Sequence, residues 1–324
     1  MISDEERQLI IDVAVKYYIE GKIQSQIAKE VFQSRTNVSR LLKKARDLDI
    51  VDITINYQSE GILRLQGDIG RAFNGVKSIV VKTIEDDAEN QKQVSKAAAK
   101  ELGLILSDDT TMGISWGRHV RCMAKYLKQH SYKNFSVVEL FGAVSYEFSE
   151  TDMLSIALRV ASKLEGTLYP LPVPIYIKDE AVMDTIVNTP GIRKSLSMIK
   201  ECDFLVTGIG VVEGDYTHGA FSSYLHSNMR DEIIDNGAAG MIFAHYFNKK
   251  GEFLDISANK NIVGIKTETI MDKPVFAIAS GIEKAGAIYA ALKGGIVDTI
   301  VSDQDTLERV LKIYECRLNK ITKI

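Results

Sequence analysis

This chain of 324 residues has little cysteine and no long apolar run. Its three cysteines, Cys122, Cys202 and Cys316, are far apart and never form a C-x-x-C pair. That spacing excludes a disulfide framework and the usual zinc sites, so no cofactor and no metal ion is predicted. No uncharged apolar stretch approaches the roughly 18–20 residues that cross a bilayer. The acidic N-terminus lacks the basic and apolar regions of a secretory signal, so we expect a cytoplasmic protein that does not contact a membrane.

An excess of one charge sign is also lacking, since 40 basic and 43 acidic side chains give a net charge of −3. This balance excludes a protein that coats nucleic acid with its whole surface, but it is compatible with a local basic patch. With 45% hydrophobic and 26% charged residues, the composition is typical of a soluble globular protein. At about 100–200 residues per domain, the length predicts two domains.

Proline is absent from the first 58 residues, and their only glycine is Gly21. From residue 61 the chain alternates short β-rich runs with longer helical patterns. The polar segment 58–61 therefore predicts a short link between a domain over 1–58 and a domain over 59–324.

The first domain is predicted to contain three helices followed by a strand. Apolar residues recur at helical spacing up to Gly21, which ends the first helix. A second helix starts near Gln24, and Ser34 caps a third. An alternating strand over 51–57 would supply half of a wing. Two helices joined by a tight turn predict a winged-helix-like helix-turn-helix, in which the third helix is the recognition helix.

The third helix carries side chains suited to DNA. Between residues 29 and 46 there are six basic residues and one acid, a net charge of +5. Arg and Asn pair with base edges, whereas Lys, Ser and Thr suit phosphate oxygens. The same charge run would also fit a solvated helix face. The predicted DNA-contacting residues are Ser34, Arg35, Thr36, Asn37, Ser39, Arg40 and Lys43.

The second domain alternates strands and helices, which predicts a Rossmann-like, mostly parallel α/β sheet with helices on both faces. The predicted strands are 78–83, 110–114, 136–141, 202–207, 275–279 and 297–301. The predicted helices are 91–106, one ending near 129, 151–164, 283–293 and 303–319. The stretch 168–175 contains three prolines, so it cannot be a regular central strand throughout.

Four loops of this domain follow strand ends, where sheets of this kind bind ligands. The loop 113–118 offers glycines, a hydroxyl and a guanidinium. The loop 208–210 is expected to offer exposed backbone N–H groups, and 140–142 is a further strand end, with Gly142. The loop 280–284 opens a helix, whose N-terminus favours an anion, and it contains Lys284.

Each of these features also has a purely structural explanation. Glycines at strand ends often only form turns, and Gly208-Ile-Gly210 lacks the third glycine of a dinucleotide fingerprint. Ser280 with Glu283 matches a capping box that needs no ligand. A single Arg or Lys is usually solvated. Four such loops in one sheet, two of them with a cation, favour a ligand site.

These motifs resemble the SorC/DeoR-type family of bacterial transcription regulators with a C-terminal sugar-binding domain. The resemblance covers nearly the whole chain. Its segments are SRTNVSRLLKKAR at 34–46, MGISWGRHV at 112–120, VVELFGAV at 137–144, FLVTGIGVV at 204–212, GAAGMIFAHYFNKKGEFLD at 237–255 and AIASGIEKAGAIYAALKGGIVDTIVSDQDT at 277–306. The resemblance implies a large domain that is similar to sugar-phosphate isomerases and deaminases but senses phosphorylated sugars.

The resemblance also implies which residues contact the effector. They are Gly113, Ser115, Gly117, Arg118, Gly142, Gly208, Gly210, Asn248 and Lys284. At Asn248 the chain departs from the family pattern, because many members carry Asp there. An Asn keeps an acceptor, loses the charge and adds a donor.

The favoured prediction is a non-enzymatic regulator of carbohydrate metabolism genes that binds double-stranded operator DNA and a phosphorylated sugar. An enzyme acting on sugar phosphates, of isomerase or deaminase type, is the alternative. Such an enzyme needs a positioned base, and Glu139, Glu213 and His119 are scattered along the chain without an obvious partner. A scaffold that uses the first domain for protein contacts has no feature in its favour. Because operator symmetry mirrors protein symmetry, we expect a homodimer or homotetramer.

Overall fold

The computed structural model describes residues 3–48, 50–51, 53, 59–143, 153–212 and 227–321. The chain forms two compact units, Met1–Asn56 and Tyr57–Ile324. The division lies two residues before the predicted boundary at 58. Within the described ranges, no helix combines the length and the apolar character needed to cross a membrane.

The first unit is a small helical bundle. Its elements are α1 (Asp4–Ala14), a π-helical turn (Val15–Ile19), α2 (Gln24–Glu30) and α3 (Arg35–Asp47). The core between these helices is formed by Ile10, Val13, Ile27, Val38, Leu41, Leu42 and Ala45. Most of the strand predicted over 51–57 lies outside the described residues, and the two described positions, Val51 and Ile53, are not in a strand.

The π-helical turn explains one difference from the sequence pattern. Helical spacing places Tyr17 on the apolar face of the first helix, but Tyr17 is 37% exposed. A π-helical turn adds one residue per turn, which rotates the side chains that follow away from the face set by a regular α-helix. The α-helical periodicity therefore holds only as far as Ala14.

The second unit contains a seven-stranded sheet in which every pairing is parallel. Its strands are β1 (Lys77–Val81), β2 (Thr111–Ile114), β3 (Ser136–Glu139), β4 (Thr167–Tyr169), β5 (Phe204–Gly208), β8 (Val275–Ile278) and β9 (Thr299–Asp303), and β6 (Ala238–Ile242) pairs with β7 (His245–Asn248) in a separate antiparallel hairpin. The strand order in the sheet is β1-β9-β8-β5-β2-β3-β4.

Helices cover both faces of this sheet, and two apolar cores lie between the layers. The helices are α4 (Glu60–Ala72), α5 (Asp87–Ile105), α6 (Arg118–Tyr126), α7 (Met153–Leu164), α8 (Glu180–Val187), α9 (Pro190–Lys200), α10 (Ser227–Asp235), α11 (Ser257–Lys260), α12 (Thr267–Asp272), α13 (Ala285–Lys293) and α14 (Gln304–Ile321). This architecture confirms the predicted α/β class. The prolines of 168–175 act as expected, since β4 ends at Tyr169.

Close packing between the β6–β7 hairpin and α13 generates a stability prediction. Gly251 has φ +83°, and a Cβ there would lie 2.3 Å from the Ala290 carbonyl oxygen. We expect Gly251→Ala to destabilise the second unit by about 2–4 kcal/mol, because it adds left-handed strain to a backbone clash. Chemical unfolding followed by the fluorescence of Trp116, the single tryptophan, measures this change.

The matched control is Gly103→Ala in α5. Gly103 is helical, and no heavy atom lies within 4 Å of the position of its added Cβ. This substitution should stabilise the protein by about 0.5–1 kcal/mol, as for Gly to Ala in an open helix. Equal effects of the two substitutions would contradict the packing described at Gly251.

Candidate functional site

The strand order places a ligand-binding edge between β2 and β5. These strands are neighbours in the sheet. The strands that follow β2 in the chain, β3 and β4, lie on one side of it, whereas the strands that follow β5, β8 and β9, lie on the opposite side. Because the strands are parallel, their carboxyl ends share one edge, and ligands of open α/β sheets bind where the order reverses. The loops that follow β2, β5 and β8 therefore meet at the expected position for a site.

The loop after β2 is tied to β5 by a buried polar contact. Ser115 is buried, and its hydroxyl lies 2.8 Å from Thr207 Oγ1. Thr207 Oγ1 also lies 3.0 Å from the Gly208 carbonyl oxygen, to which it donates. Gly117 has φ +136°, which favours glycine, and it precedes Arg118, the exposed first residue of α6.

The loop after β8 differs from its sequence prediction. The predicted capping box of Ser280 and Glu283 is wrong. The 3-10 turn Ile282–Lys284 has Gly281, and not Ser280, at its N-cap position, and no side chain caps it. Ser280 Oγ instead lies 2.7 Å from Nε2 of His119. Lys284 is only 8% exposed, so it is not a solvated surface cation.

A buried carboxylate at the end of β9 fixes the β8 loop from the other side. Asp303 Oδ1 accepts hydrogen bonds from Thr83 Oγ1 at 3.1 Å and from the Thr306 N–H at 3.0 Å. Its Oδ2 accepts from Thr306 Oγ1 at 2.7 Å and from the Gly281 N–H at 3.3 Å. The Gly281 N–H also donates to Thr306 Oγ1 at 2.9 Å. Four donors thus occupy the Asp303 carboxylate.

The electrostatics of this edge are dominated by cations. Burial, together with the charge of Arg118, lowers the pKa of Lys284 to about 8, although Glu283 and Asp303 oppose the shift. Burial and the charges of Lys284 and Arg118 lower the pKa of His119 well below its usual value near 6.5. His119 is therefore neutral at pH 7, while Lys284 remains mainly protonated.

Within the described part of the chain, the Lys284 ammonium forms no hydrogen bond and no ion pair. A buried cation beside a second cation is costly unless an anion approaches both. The described residues also contain no group of three His, Cys, Asp or Glu side chains that could hold a metal ion. The two interacting cations, Lys284 and Arg118, are suited to binding an anionic ligand.

The structure brings some of the predicted effector residues together and separates others. Ser115, Gly117, Arg118, Gly208 and Lys284 lie on the loops or strand ends at this edge.

Gly113, Gly142 and Gly210 serve packing or backbone pairing. A Cβ at Gly113 would lie 2.6 Å from Leu140, and one at Gly142 would lie 2.4 Å from the Val173 carbonyl oxygen. The sequence interpretation of Gly210 as a source of a free N–H is wrong, since this N–H donates to the Met241 carbonyl at 2.9 Å.

Asn248 closes the turn after β7 and does not join the cluster at Lys284. Its Oδ1 accepts from the N–H groups of Lys250 and Glu252 at 2.8 and 3.2 Å, and its Nδ2 donates to Glu252 Oε2 at 2.9 Å. The same turn contains Gly251, which packs on Gly294 beyond the C-terminal end of α13. Lys284 precedes the opposite end of that helix.

Sequence reasoning missed the residues that support the site. His119 does have a partner, Ser280, although this pair is not the acid–base pair that an isomerase requires. Asp303 lies at the carboxyl end of β9, where polar residues are expected to face the same edge. The sequence pattern predicted this strand over 297–301, so its predicted end lay two residues before Asp303, and Asp303 was not recognised as a residue at the end of a strand. Glu213 lies outside the described residues.

The first unit presents a separate polar face along α3. Ser34 Oγ caps the helix by accepting from the Asn37 N–H at 3.1 Å. Asn37 is partly engaged, because its Nδ2 donates to Gln33 at 2.6 Å and its Oδ1 accepts from Arg40 at 2.8 Å. The other residues predicted to contact DNA are exposed, namely Arg35, Thr36, Ser39 and Lys43, as is Arg40 itself.

The chain is similar to known proteins in both sequence and fold. The family model described as "Putative sugar-binding domain" matches residues 57–312. The sorbitol operon regulator of Klebsiella pneumoniae is 26% identical over 320 residues, which cover 96% of this chain and 100% of that protein. The transcriptional regulator LsrR of an Enterobacter species is 25% identical over 312 residues, which cover 95% of this chain and 94% of that protein.

Solved structures give the same result. The full-length sorbitol operon regulator SorC of Klebsiella pneumoniae superposes with a TM-score of 0.73 at 25% identity, covering 96% of this chain and 100% of that chain. A transcriptional regulator from Streptococcus pneumoniae has a TM-score of 0.73 at 19% identity, covering 78% of this chain and 97% of that chain, a likeness of fold. This chain belongs to the SorC-type family of regulators with a sugar-binding domain, and it is a sugar-responsive transcription regulator rather than an enzyme.

Proposed function

We propose that the sugar sensed by this regulator is phosphorylated and that its phosphate binds between Lys284 and Arg118. The observation that carries this proposal is the buried Lys284 side chain, whose ammonium forms no hydrogen bond or ion pair with a described residue and lies close enough to Arg118 for their charges to interact. A phosphate dianion would neutralise both cations and accept charge-assisted hydrogen bonds from them. Hydroxyl groups of the sugar would then lie toward the ends of β2 and β5.

We also propose that α3 contacts operator DNA and that the protein acts as a homodimer or homotetramer in the cytoplasm. The exposed cations of α3 and the capped start of this helix support the contact. Arg35 and Arg40 suit base edges and phosphates, respectively. Two recognition helices related by symmetry would match a palindromic operator.

The first prediction of this proposal concerns Lys284. Lys284→Ala should weaken binding of a phosphorylated effector by roughly one to two decades, because a hydrogen bond to a charged group contributes about 1.5–3 kcal/mol. Calorimetry against a panel of aldose and ketose phosphates and their unphosphorylated parents measures the loss. Lys293→Ala, at the exposed opposite end of α13, is the control. Equal affinity of the wild type for a sugar and its phosphate ester would refute the proposed ligand class.

The second prediction concerns pH. Lys284 in the free protein titrates at a pKa of about 8, and a bound anion would raise this pKa by favouring the charged ammonium. Effector affinity should therefore be highest below pH 8 and should fall by up to about tenfold per pH unit above it. Below about pH 6 it should fall again, as the phosphate takes up a proton. Calorimetry from pH 5.5 to 9.5 tests this, and the alkaline decline should be absent in Lys284→Ala.

The third prediction concerns DNA. Arg40→Ala should lower the slope of log affinity against log salt by about 0.9, the value for one lost phosphate contact. Arg35→Ala should cost about 1–3 kcal/mol and relax specificity at one base pair. Fluorescence anisotropy with promoter DNA at several salt concentrations measures both changes.

The control for the DNA prediction is Lys16→Ala, since Lys16 is already paired with Asp12 and Glu30 at 3.3 and 3.4 Å. Its loss should leave the salt slope unchanged. Wild-type affinity in an Arg35→Ala, Arg40→Ala double variant would show that α3 is not the recognition helix.

A further inference from the structure

The hydrogen bond between His119 and Ser280 connects the start of α6 with the loop after β8. His119 follows β2 and Ser280 follows β8, and β5 lies between these strands. His119 Nε2 and Ser280 Oγ nevertheless lie 2.7 Å apart, and both residues are buried. The contact thus passes over the carboxyl end of β5.

Each partner stands next to one of the two cations of the proposed phosphate site. Arg118 immediately precedes His119, and Lys284 lies one helical turn after Ser280. The two cations repel each other, so their proximity has to be maintained by other contacts. The second anchor of the β8 loop, from Gly281 to Asp303 and Thr306, pulls this loop toward β9. That anchor alone would not hold Lys284 toward β2.

We propose that His119 and Ser280 are positioning residues, whose hydrogen bond holds Lys284 beside Arg118 so that both cations meet one phosphate group. This inference rests on the proposed function of the site. A neutral imidazole suits the role, because it supplies a hydrogen bond without adding a third positive charge between two cations. The competing explanation is that the bond only satisfies two buried polar groups.

Inorganic phosphate binding to the full-length chain, measured by calorimetry, is the first test. Ser280→Ala and His119→Leu should each weaken phosphate binding about three- to tenfold, the size of one lost hydrogen bond. The double variant should be no weaker than either single variant, because both remove the same contact. His119→Gln should retain most of the affinity, since its amide nitrogen reaches the position of Nε2.

Ser195→Ala is a matched control for the loss of a buried serine hydroxyl. Ser195 Oγ donates to the Pro170 carbonyl at 2.6 Å, and this contact links α9 to the segment after β4. Its substitution should lower the stability of the second unit as much as Ser280→Ala does, without changing phosphate affinity. Equal loss of phosphate affinity in both variants, or additive losses in the double variant, would overturn the positioning role.

A second measurement needs no ligand. Acetic anhydride labelling of Lys284, followed by mass spectrometry with Lys293 as the internal reference, reports how well the loop is held. Labelling of Lys284 should increase several-fold in Ser280→Ala and His119→Leu, and not in His119→Gln. If Lys284→Ala loses phosphate binding while the two variants keep wild-type affinity and labelling, the positioning role is overturned and the phosphate site stands. If the wild type fails to bind phosphate but labelling rises as expected, the phosphate site falls and the positioning of Lys284 stands.

Discussion

Burial of the Lys284 ammonium is the constraint around which the sensing unit is arranged. A buried cation is unfavourable unless it is paired, and no described oxygen pairs with this one. The loop that carries it is held at two adjacent residues, by the Ser280 hydroxyl bonded to His119 and by the Gly281 N–H bonded to Asp303 and Thr306. The negative charge of Asp303 lowers the free-energy cost of burying the Lys284 ammonium. The Asp303 oxygens, however, accept their hydrogen bonds from neutral donors. The folded protein therefore tolerates this cation, and the ammonium remains available to an anion.

The same arrangement agrees with a domain that binds its ligand and does not transform it. Isomerisation requires a base with a free lone pair near the substrate carbonyl. Asp303 already accepts hydrogen bonds from four donors on its two oxygens. His119 is hydrogen-bonded to Ser280, and the nearby charges of Lys284 and Arg118 disfavour its protonation. The groups that could have moved a proton instead hold loops in place, which agrees with the identity of the chain as a regulator.

Local patterns predicted the parts of the molecule that depend on local physics. Alternating strands and helices gave the parallel sheet, and Ser34 with its apolar repeat gave α3, because caps and periodicity act within a few residues. The hairpin over β6 and β7 and the support for Lys284 were missed, since they depend on contacts between distant segments. His119 and Ser280 are separated by 161 positions. Nothing in either short motif indicates their meeting, and the Ser280–Glu283 spacing indicated a cap that does not form.

Glycine illustrates the same limit at the candidate site. Gly117 and Gly113 occur in one motif, but Gly117 permits a backbone angle at the ligand edge, whereas Gly113 makes room for Leu140 and Leu205 inside the sheet. Spacing alone cannot separate these uses.

The two polar regions of the protein use positive charge in physically different ways. Along α3 the cations Arg35, Arg40 and Lys43 are exposed, so each contact that we propose with DNA would be weak and screened by salt, and affinity would depend on the number of such contacts. Lys284 is only 8% exposed, so salt would screen its proposed contact with a phosphate less than it screens contacts of exposed cations. On these two proposals, added salt would lower the affinity for DNA much more than the affinity for the effector.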